Sequence, residues 1–223
     1  MNSNERDISA MRAALALAQQ NTALARPNPS VGCVIVRDDA VIATGATQAY
    51  GCDHAEQVAL KAAGERARGA TMFVTLEPCC AVGTNSARSE PCTTSILRAG
   101  VARVVVGAID TNPNMNGQGI AALRAAGVHV EVGICEDECV AHHIGFLTRM
   151  ARGTPWVRAK MASSLDGRTA LANGTSQWIT GEPARADGHA FRARACAVLA
   201  GSGTVRVDDP QLTVRHFTAN VQP

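Results

Sequence analysis

The sequence predicts an α/β fold in which helices are layered on a sheet. Apolar runs of strand length recur at 31–36 (VGCVIV), 71–76 (TMFVTL) and 103–109 (RVVVGAI). Helix-patterned segments of about ten residues separate them, and glycines close several of those segments. Strands that alternate with helices in this way imply crossover connections and a layered sheet.

Asp7 to Gln20 opens the series as a helix, with Met11, Ala14, Leu15 and Ala18 on one face. Asn28-Pro29 ends that region, and the run from Val31 to Val36 suits a strand buried on both sides. Ala40 to Thr44 returns as its hairpin partner through Asp38-Asp39. His54 to Ala63 reads as a helix stopped by Gly64, followed by the strand Thr71 to Leu76. Cys92 to Ala99 is a short helix ended by Gly100, and Arg103 to Ile109 is a further strand. Gly117 to Ala126 is a helix ended by Gly127, Val128 to Val132 a strand, and Glu136 to Ala151 the closing helix. Arg152-Gly153-Thr154-Pro155 then reads as a linker. Beyond it the sequence predicts a strand in WVRAKMASS, a turn at Asp166-Gly167 and a helix from Pro183 to Cys196. One apolar strand is expected in VLAGSGTVRVDDPQLTV. This second unit is near the lower size limit for an independent fold.

Composition narrows the function. Of 223 residues 46% are hydrophobic, enough for a full core, and the formal charge of +2 is too small to argue for nucleic acid or an acidic membrane surface. Two Trp, one Tyr and four Phe are too few for a stacking platform for single strands. No apolar run approaches the 18 or so residues of a membrane span, and the polar start argues against a signal peptide. Eight cysteines in that setting read as cytoplasmic thiols and metal ligands rather than a disulfide framework.

His54-Ala55-Glu56, with Pro78-Cys79 and Pro91-Cys92 downstream, carries the chemistry. Two thiolates and one imidazole neutralise Zn²⁺ and leave its fourth tetrahedral position open. An ion held so lowers the pKa of water from 15.7 towards about 7. Glu56 is too close to His54 to serve as another ligand at ease, but it is placed to move protons. H-x-E with P-C-x-x-C is the signature of zinc nucleobase deaminases. Here its second half is stretched, with twelve residues between Cys79 and Cys92. The strand 71–76 runs directly into Glu77-Pro78-Cys79, and Pro91 sets Cys92 at a helix start, where the dipole favours a thiolate. Cys80 competes with Cys79 for the ion, and Cys79 is preferred because, like Cys92, it directly follows a proline. Cys33 reads as core and Cys52 as a loop thiol. Cys135, Cys139, His142 and His143 form a second chelating pattern on one helix, for which ordinary packing is the favoured reading.

Taken together these residues resemble the bifunctional riboflavin-biosynthesis (RibD) family, a pyrimidine deaminase fused to a reductase. The resemblance runs through PNPSVGCVIV (27–36), HAEQVAL (54–60), GERARGATMFVTLEPC (64–79), AGVARVVVGAID (99–110), NPNMNGQG (112–119), KMASSLDGRTA (160–170), SQWIT (176–180) and GTVRVDDPQLTVR (203–215). It implies a three-layer α/β/α cytidine-deaminase-like domain over 1–150. An incomplete dihydrofolate-reductase-like segment over 155–223 follows. It also implies zinc on His54, Cys79 and Cys92, with Glu56 passing protons. The implied reaction is hydrolytic deamination of 2,5-diamino-6-ribosylamino-4(3H)-pyrimidinone 5′-phosphate, by a cytoplasmic homo-oligomer that binds neither nucleic acid nor membrane. Asn28, Asp110 and Asn112 lie in the resembling stretches as substrate contacts, although Asn28 and Asn112 also suit turns.

In the second segment the resemblance places substrate contacts at Ser176, Arg192, Leu212 and Arg215. It places NADPH contacts at Ala162, Trp178, Thr204 and Asp208. With the family's glycine-rich phosphate segment missing, the expectation is that reductase activity is lost and that NADPH enters only if the segment is completed. A second departure is CAVGTNSARSEP (80–91), four residues longer than the family's S-H-x-G-R-T-P-P segment and without its His and Arg-Thr-Pro. Arg88 is the one guanidinium within it that could replace the family's. Two further readings stay open: a nucleoside or polynucleotide deaminase with the same zinc site, and an inactive zinc-stabilised remnant or scaffold.

Overall fold

The computed structural model describes residues 3–80, 90–215 and 222. It divides into two units, the first running to Trp156 and the second starting at Val157.

The first unit is built on a five-stranded mixed sheet in the order β2-β1-β3-β4-β5, comprising β1 (Gly32–Arg37), β2 (Ala40–Ala46), β3 (Thr71–Leu76), β4 (Arg103–Ala108) and β5 (His129–Val132). β1 pairs antiparallel with both β2 and β3, whereas β3, β4 and β5 run parallel. Asp38 and Asp39 both take positive φ, 50° and 62°, which turns the β1–β2 hairpin with the twist its strands need. Val34, Ile35, Met72, Val74 and Val104 to Val106 are fully buried. Covered on both faces, these strands show apolar runs instead of alternation.

Helices α1 (Ser3–Gln20) and α6 (Glu136–Arg152) lie on one face; α3 (Ala55–Ala63), α4 (Cys92–Ala99) and α5 (Gln118–Ala125) lie on the other. Two glycines show the two faces directly. A Cβ on Gly32 would meet the Ala14 carbonyl oxygen of α1 at 1.8 Å, and one on Gly45 would meet the Ala55 carbonyl oxygen of α3 at 2.2 Å. Gly45 pairs with Cys33, the neighbour of Gly32, so the two positions point to opposite sides of the sheet. The predicted face of α1 is the buried one, with Met11, Ala14 and Ala18 fully covered. Burying a side chain the size of Met contributes about 1.5–3 kcal/mol. Two short elements escaped the sequence pattern, α2 (Thr22–Ala25) and a 3₁₀ turn at Gly64–Ala67.

The second unit corrects two expectations. Neither WVRAKMASS nor VLAGSGTVRVDDPQLTV (198–214) contains a strand, and the latter carries a helix instead, α8 (Ser202–Asp208), after α7 (Glu182–Ala193). A strand is stable only with ladder partners, and no ladder forms among the described residues of this unit. The V-x-V alternation is too short to set a period, and Gly201 and the left-handed Asp209 bracket a short helix instead. α7 stops at Ala193 rather than at Cys196, and carries Pro183 in its first turn.

No described helix is long and apolar enough to cross a membrane.

Candidate metal centre

The site lies where β3 and β4 end and β1 begins, because the antiparallel setting of β1 brings Asn28 to Val31 to the same edge. His54 is the N-cap of α3 and holds extended backbone (φ −75°, ψ 163°), so its ring stands off the helix end. Its amide donates to Gln57 Oε1 at 3.1 Å, and Gln57 Nε2 donates to the Glu90 carbonyl at 3.0 Å. That pair locks the α3 start to the residue just before Pro91. Pro91 is the N-cap of α4 and Cys92 its first residue.

His54 Nδ1 lies 3.6 Å from Cys79 Sγ and 3.4 Å from Cys92 Sγ, and the Cys92 amide donates to Cys79 Sγ at 3.3 Å. Ligands at about 2.3 Å (sulfur) and 2.0 Å (nitrogen) from a tetrahedral zinc sit about 3.5 Å from one another. The observed spacing therefore fits the ion, and its donors are Nδ1 and two sulfurs. Among the described residues these three are the group of metal-ligating side chains, their donor atoms all within 4.8 Å of one another. The trio shares its protons tightly: the hydrogen bond from Cys92 draws the Cys79 thiol well below its ordinary range, while that donation and burial hold Cys92 far above it. A divalent cation displaces such protons on binding.

Glu56, one residue into α3, is 3% exposed. Burial pushes its carboxyl up to about 7. It lines a pocket with His54, Cys79, Asn28, Asp110, Asn112, Met115, Phe146 and Arg149. The pocket encloses ≈ 660 Å³, part of it open to solvent. Asp110 follows β4; it is 7% exposed, and burial raises its carboxyl to about 6. Its Oδ1 accepts from the Asn112 amide at 2.7 Å, and Asn112 Oδ1 accepts from the Asn114 amide at 3.1 Å. Both are local turn bonds, so Asn112 does serve a turn as well as lining the pocket.

Sequence reasoning missed Glu77. Its buried carboxylate accepts from four backbone amides, Asp110 and Gly117 at Oε2 and Gly119 and Ile120 at Oε1 (2.9–3.3 Å). This one side chain joins the segment carrying Cys79 to the Asp110 loop and the start of α5. Its signal was a carboxylate placed directly after the apolar run of β3. Thr47, Phe146 and Arg149 also line the pocket, and no sequence pattern aimed them there.

The rival ligands fall away. Cys80 Sγ lies against Met115 Sδ at 4.0 Å, Cys33 is buried in β1, and Cys52 is exposed. On α6, Cys139 fills the space above Gly107, where a Cβ would meet its sulfur at 2.3 Å. His142 bonds to the Ser30 carbonyl (2.8 Å) and His143 to Thr75 Oγ1 (3.1 Å), so that cluster is packing. Arg88 lies outside the described residues.

In the second unit, Arg192 donates to the Thr213 carbonyl at 2.6 Å, which brings α7 to the Leu212–Arg215 segment; the Arg215 amide donates to the buried His189. Ser176 and Trp178 are exposed, Arg185 covering the Trp178 ring at 4.5 Å, and Ala162 is half-buried. Thr204 and Asp208 lie exposed one turn apart on α8.

Fold and metal centre together define a zinc-binding deaminase domain, and residues 4–108 match the model of the cytidine and deoxycytidylate deaminase zinc-binding region. Residues 155–223 match that of the RibD C-terminal domain. The chain belongs to the RibD family. It is 47% identical to the riboflavin biosynthesis protein RibD of Escherichia coli over 92% of this chain and 55% of that protein. Among solved structures it is similar to Acinetobacter baumannii RibD (46% identity, TM-score 0.85, 99% of this chain and 60% of that one). A Thermotoga maritima diaminohydroxyphosphoribosylaminopyrimidine deaminase/5-amino-6-(5-phosphoribosylamino)uracil reductase is 38% identical with TM-score 0.88, over 96% and 61% of the two chains. The chain thus spans 55–60% of the length of such curated relatives.

Proposed function

We propose that residues 1–150, within the first unit, form a domain that deaminates 2,5-diamino-6-ribosylamino-4(3H)-pyrimidinone 5′-phosphate in cytoplasmic riboflavin biosynthesis. One observation carries this reading: the buried Glu56 carboxyl shares a single pocket with His54, Cys79, Asn28, Asp110 and Asn112, and Cys92 completes the metal-ligating trio there with His54 and Cys79. The name of the Thermotoga relative supports the substrate class.

Held by His54 Nδ1 and the two sulfurs, zinc supplies Lewis-acid activation of water at neutral pH. Glu56 takes a proton from the attacking water and passes it to the ring nitrogen next to the amine-bearing carbon. As the C–O bond forms and the C–N bond breaks, Glu56 hands the remaining hydroxyl proton to the departing ammonia. A ring carbonyl is left. Asp110, Asn112 and Asn28 orient the pyrimidine or its ribose from the β4 and β1 sides, and Glu77 keeps the Asp110 loop at its distance from Cys79.

For residues 155–223 we propose the N-terminal part of a reductase domain. Ser176, Arg192, Leu212 and Arg215 face its substrate, and Ala162, Trp178, Thr204 and Asp208 face NADPH. The match to the RibD C-terminal domain supports this, as does the bond from Arg192 to the Leu212–Arg215 segment. Titration with NADPH, read as quenching of Trp fluorescence, tests the assignment. The homo-oligomer implied by resemblance is tested by sedimentation.

The decisive experiment for the deaminase is ammonia release by the zinc-loaded chain. The expected result is turnover of the phosphoribosylaminopyrimidine in preference to cytidine or single-stranded DNA. A zinc-loaded chain that releases ammonia from no aminopyrimidine is a scaffold, and overturns the reading.

A further inference from the structure

We infer that Arg149 is the specificity-determining residue that holds the substrate's phosphate at the mouth of the pocket. The inference rests on the deaminase reading for its substrate, and on the pocket for its geometry. Among the described pocket-lining residues Arg149 is the sole Lys or Arg. It stands on the last turns of α6 with its side chain exposed, at the rim rather than the floor. No described carboxylate lies within ion-pair distance of it, and its guanidinium enters no described hydrogen bond. The buried acids are committed elsewhere: Glu77 to four backbone amides, Asp110 to the Asn112 amide. A guanidinium carries five donors in a fork that matches a phosphate, and here the fork is free. The floor has the opposite character. Glu56 and Asp110 line it, so a dianion is disfavoured beside them and its anionic end is directed outward to Arg149. The amine-bearing ring is then left to face Glu56. The stretch 80–91, which in the resembling family carries an Arg-Thr-Pro, has none here. A cation from α6 supplies the charge instead.

The test has one readout that needs no turnover. Ribose 5-phosphate and ribose are titrated into the zinc-loaded full chain and binding is followed by calorimetry. Wild type should bind the phosphorylated sugar more tightly, and Arg149→Met should weaken that by about 10- to 100-fold while leaving ribose binding unaltered. Arg152→Met, a charge control on the same helix, should change neither. Ammonia release is the second readout. Arg149→Met should raise KM for the phosphorylated pyrimidine by a similar factor, with Arg149→Lys intermediate because it keeps the charge but not the fork. If ribose 5-phosphate binding survives Arg149→Met, or if Arg88→Met takes the loss instead, the inference is wrong. If Arg149 governs ribose 5-phosphate binding but wild type releases no ammonia, the inference stands and the deaminase reading falls.

Discussion

His54 Nδ1 and Cys92 Sγ meet at 3.4 Å although 38 positions separate them in the chain. Each opens a helix, and the two helix starts are tied by Gln57, which accepts from the His54 amide and donates to the Glu90 carbonyl. The metal centre is therefore set by backbone-anchored helix ends. Cys92→Ala should remove zinc from the purified chain, from about one ion per chain to near none. Metal analysis reads this directly, and retention of a full complement would exclude Cys92 as a ligand.

Glu56→Gln should leave zinc content unchanged and lower the rate of ammonia release by at least about 100-fold. The amide keeps the shape and removes the proton shuttle. Wild-type turnover in this variant would take Glu56 out of the chemistry.

Glu77→Gln presents one acceptor oxygen where four amides need two, and sets an NH₂ against amide donors. A cost of about 2–4 kcal/mol in unfolding free energy is expected, measured by urea denaturation. In molecules that remain folded, the loosened Asp110 loop should raise KM more than the same destabilisation placed elsewhere. Gly32→Ala is the comparison for that statement. Its Cβ would press on the Ala14 carbonyl oxygen at 1.8 Å, which forces α1 from β1 at a cost of about 1–3 kcal/mol or more.

His143 is buried against Thr75 Oγ1, and burial depresses its pKa to about 3. Unfolded histidine titrates near 6.5. Between those values the unfolded chain holds more protons, so this group's contribution to stability is complete above about pH 6.5 and falls with acidification towards pH 3. The slope approaches 1.4 kcal/mol per pH unit at most. The raised carboxyls of Glu56 and Asp110 act in the opposite sense, so the clean measurement is the difference between wild type and His143→Gln across pH 7 to 4. The variant should show the flatter acid limb; parallel curves would refute a neutral buried imidazole.

Much of the first unit was legible from spacing alone. Thr71–Leu76 and Cys92–Ala99 fall on the expected boundaries because a buried apolar run and a Pro start with a Gly stop leave little choice. The zinc ligands were legible because two thiolates cancel the ion's charge and an imidazole completes a common zinc donor set, and Pro78 and Pro91 mark the positions of the two cysteines. Glu77 was not, since its role depends on amides 33 to 43 residues away. Nor was Arg149, whose aim depends on how α6 crosses the sheet. The strands expected in the second unit failed for the same reason: periodicity proposes a strand, but neighbouring strands decide whether it exists.

Helix α6 has two masters. Cys139 and His143 seat it on the sheet at Gly107 and Thr75, while Phe146 and Arg149, two turns on, form part of the pocket wall. Any drift of that helix alters substrate choice and thermal endurance together. Engineers seeking a wider substrate range by changing the pocket wall should therefore pair each substitution with a compensating one beneath α6, and score heat tolerance alongside turnover in the same screen.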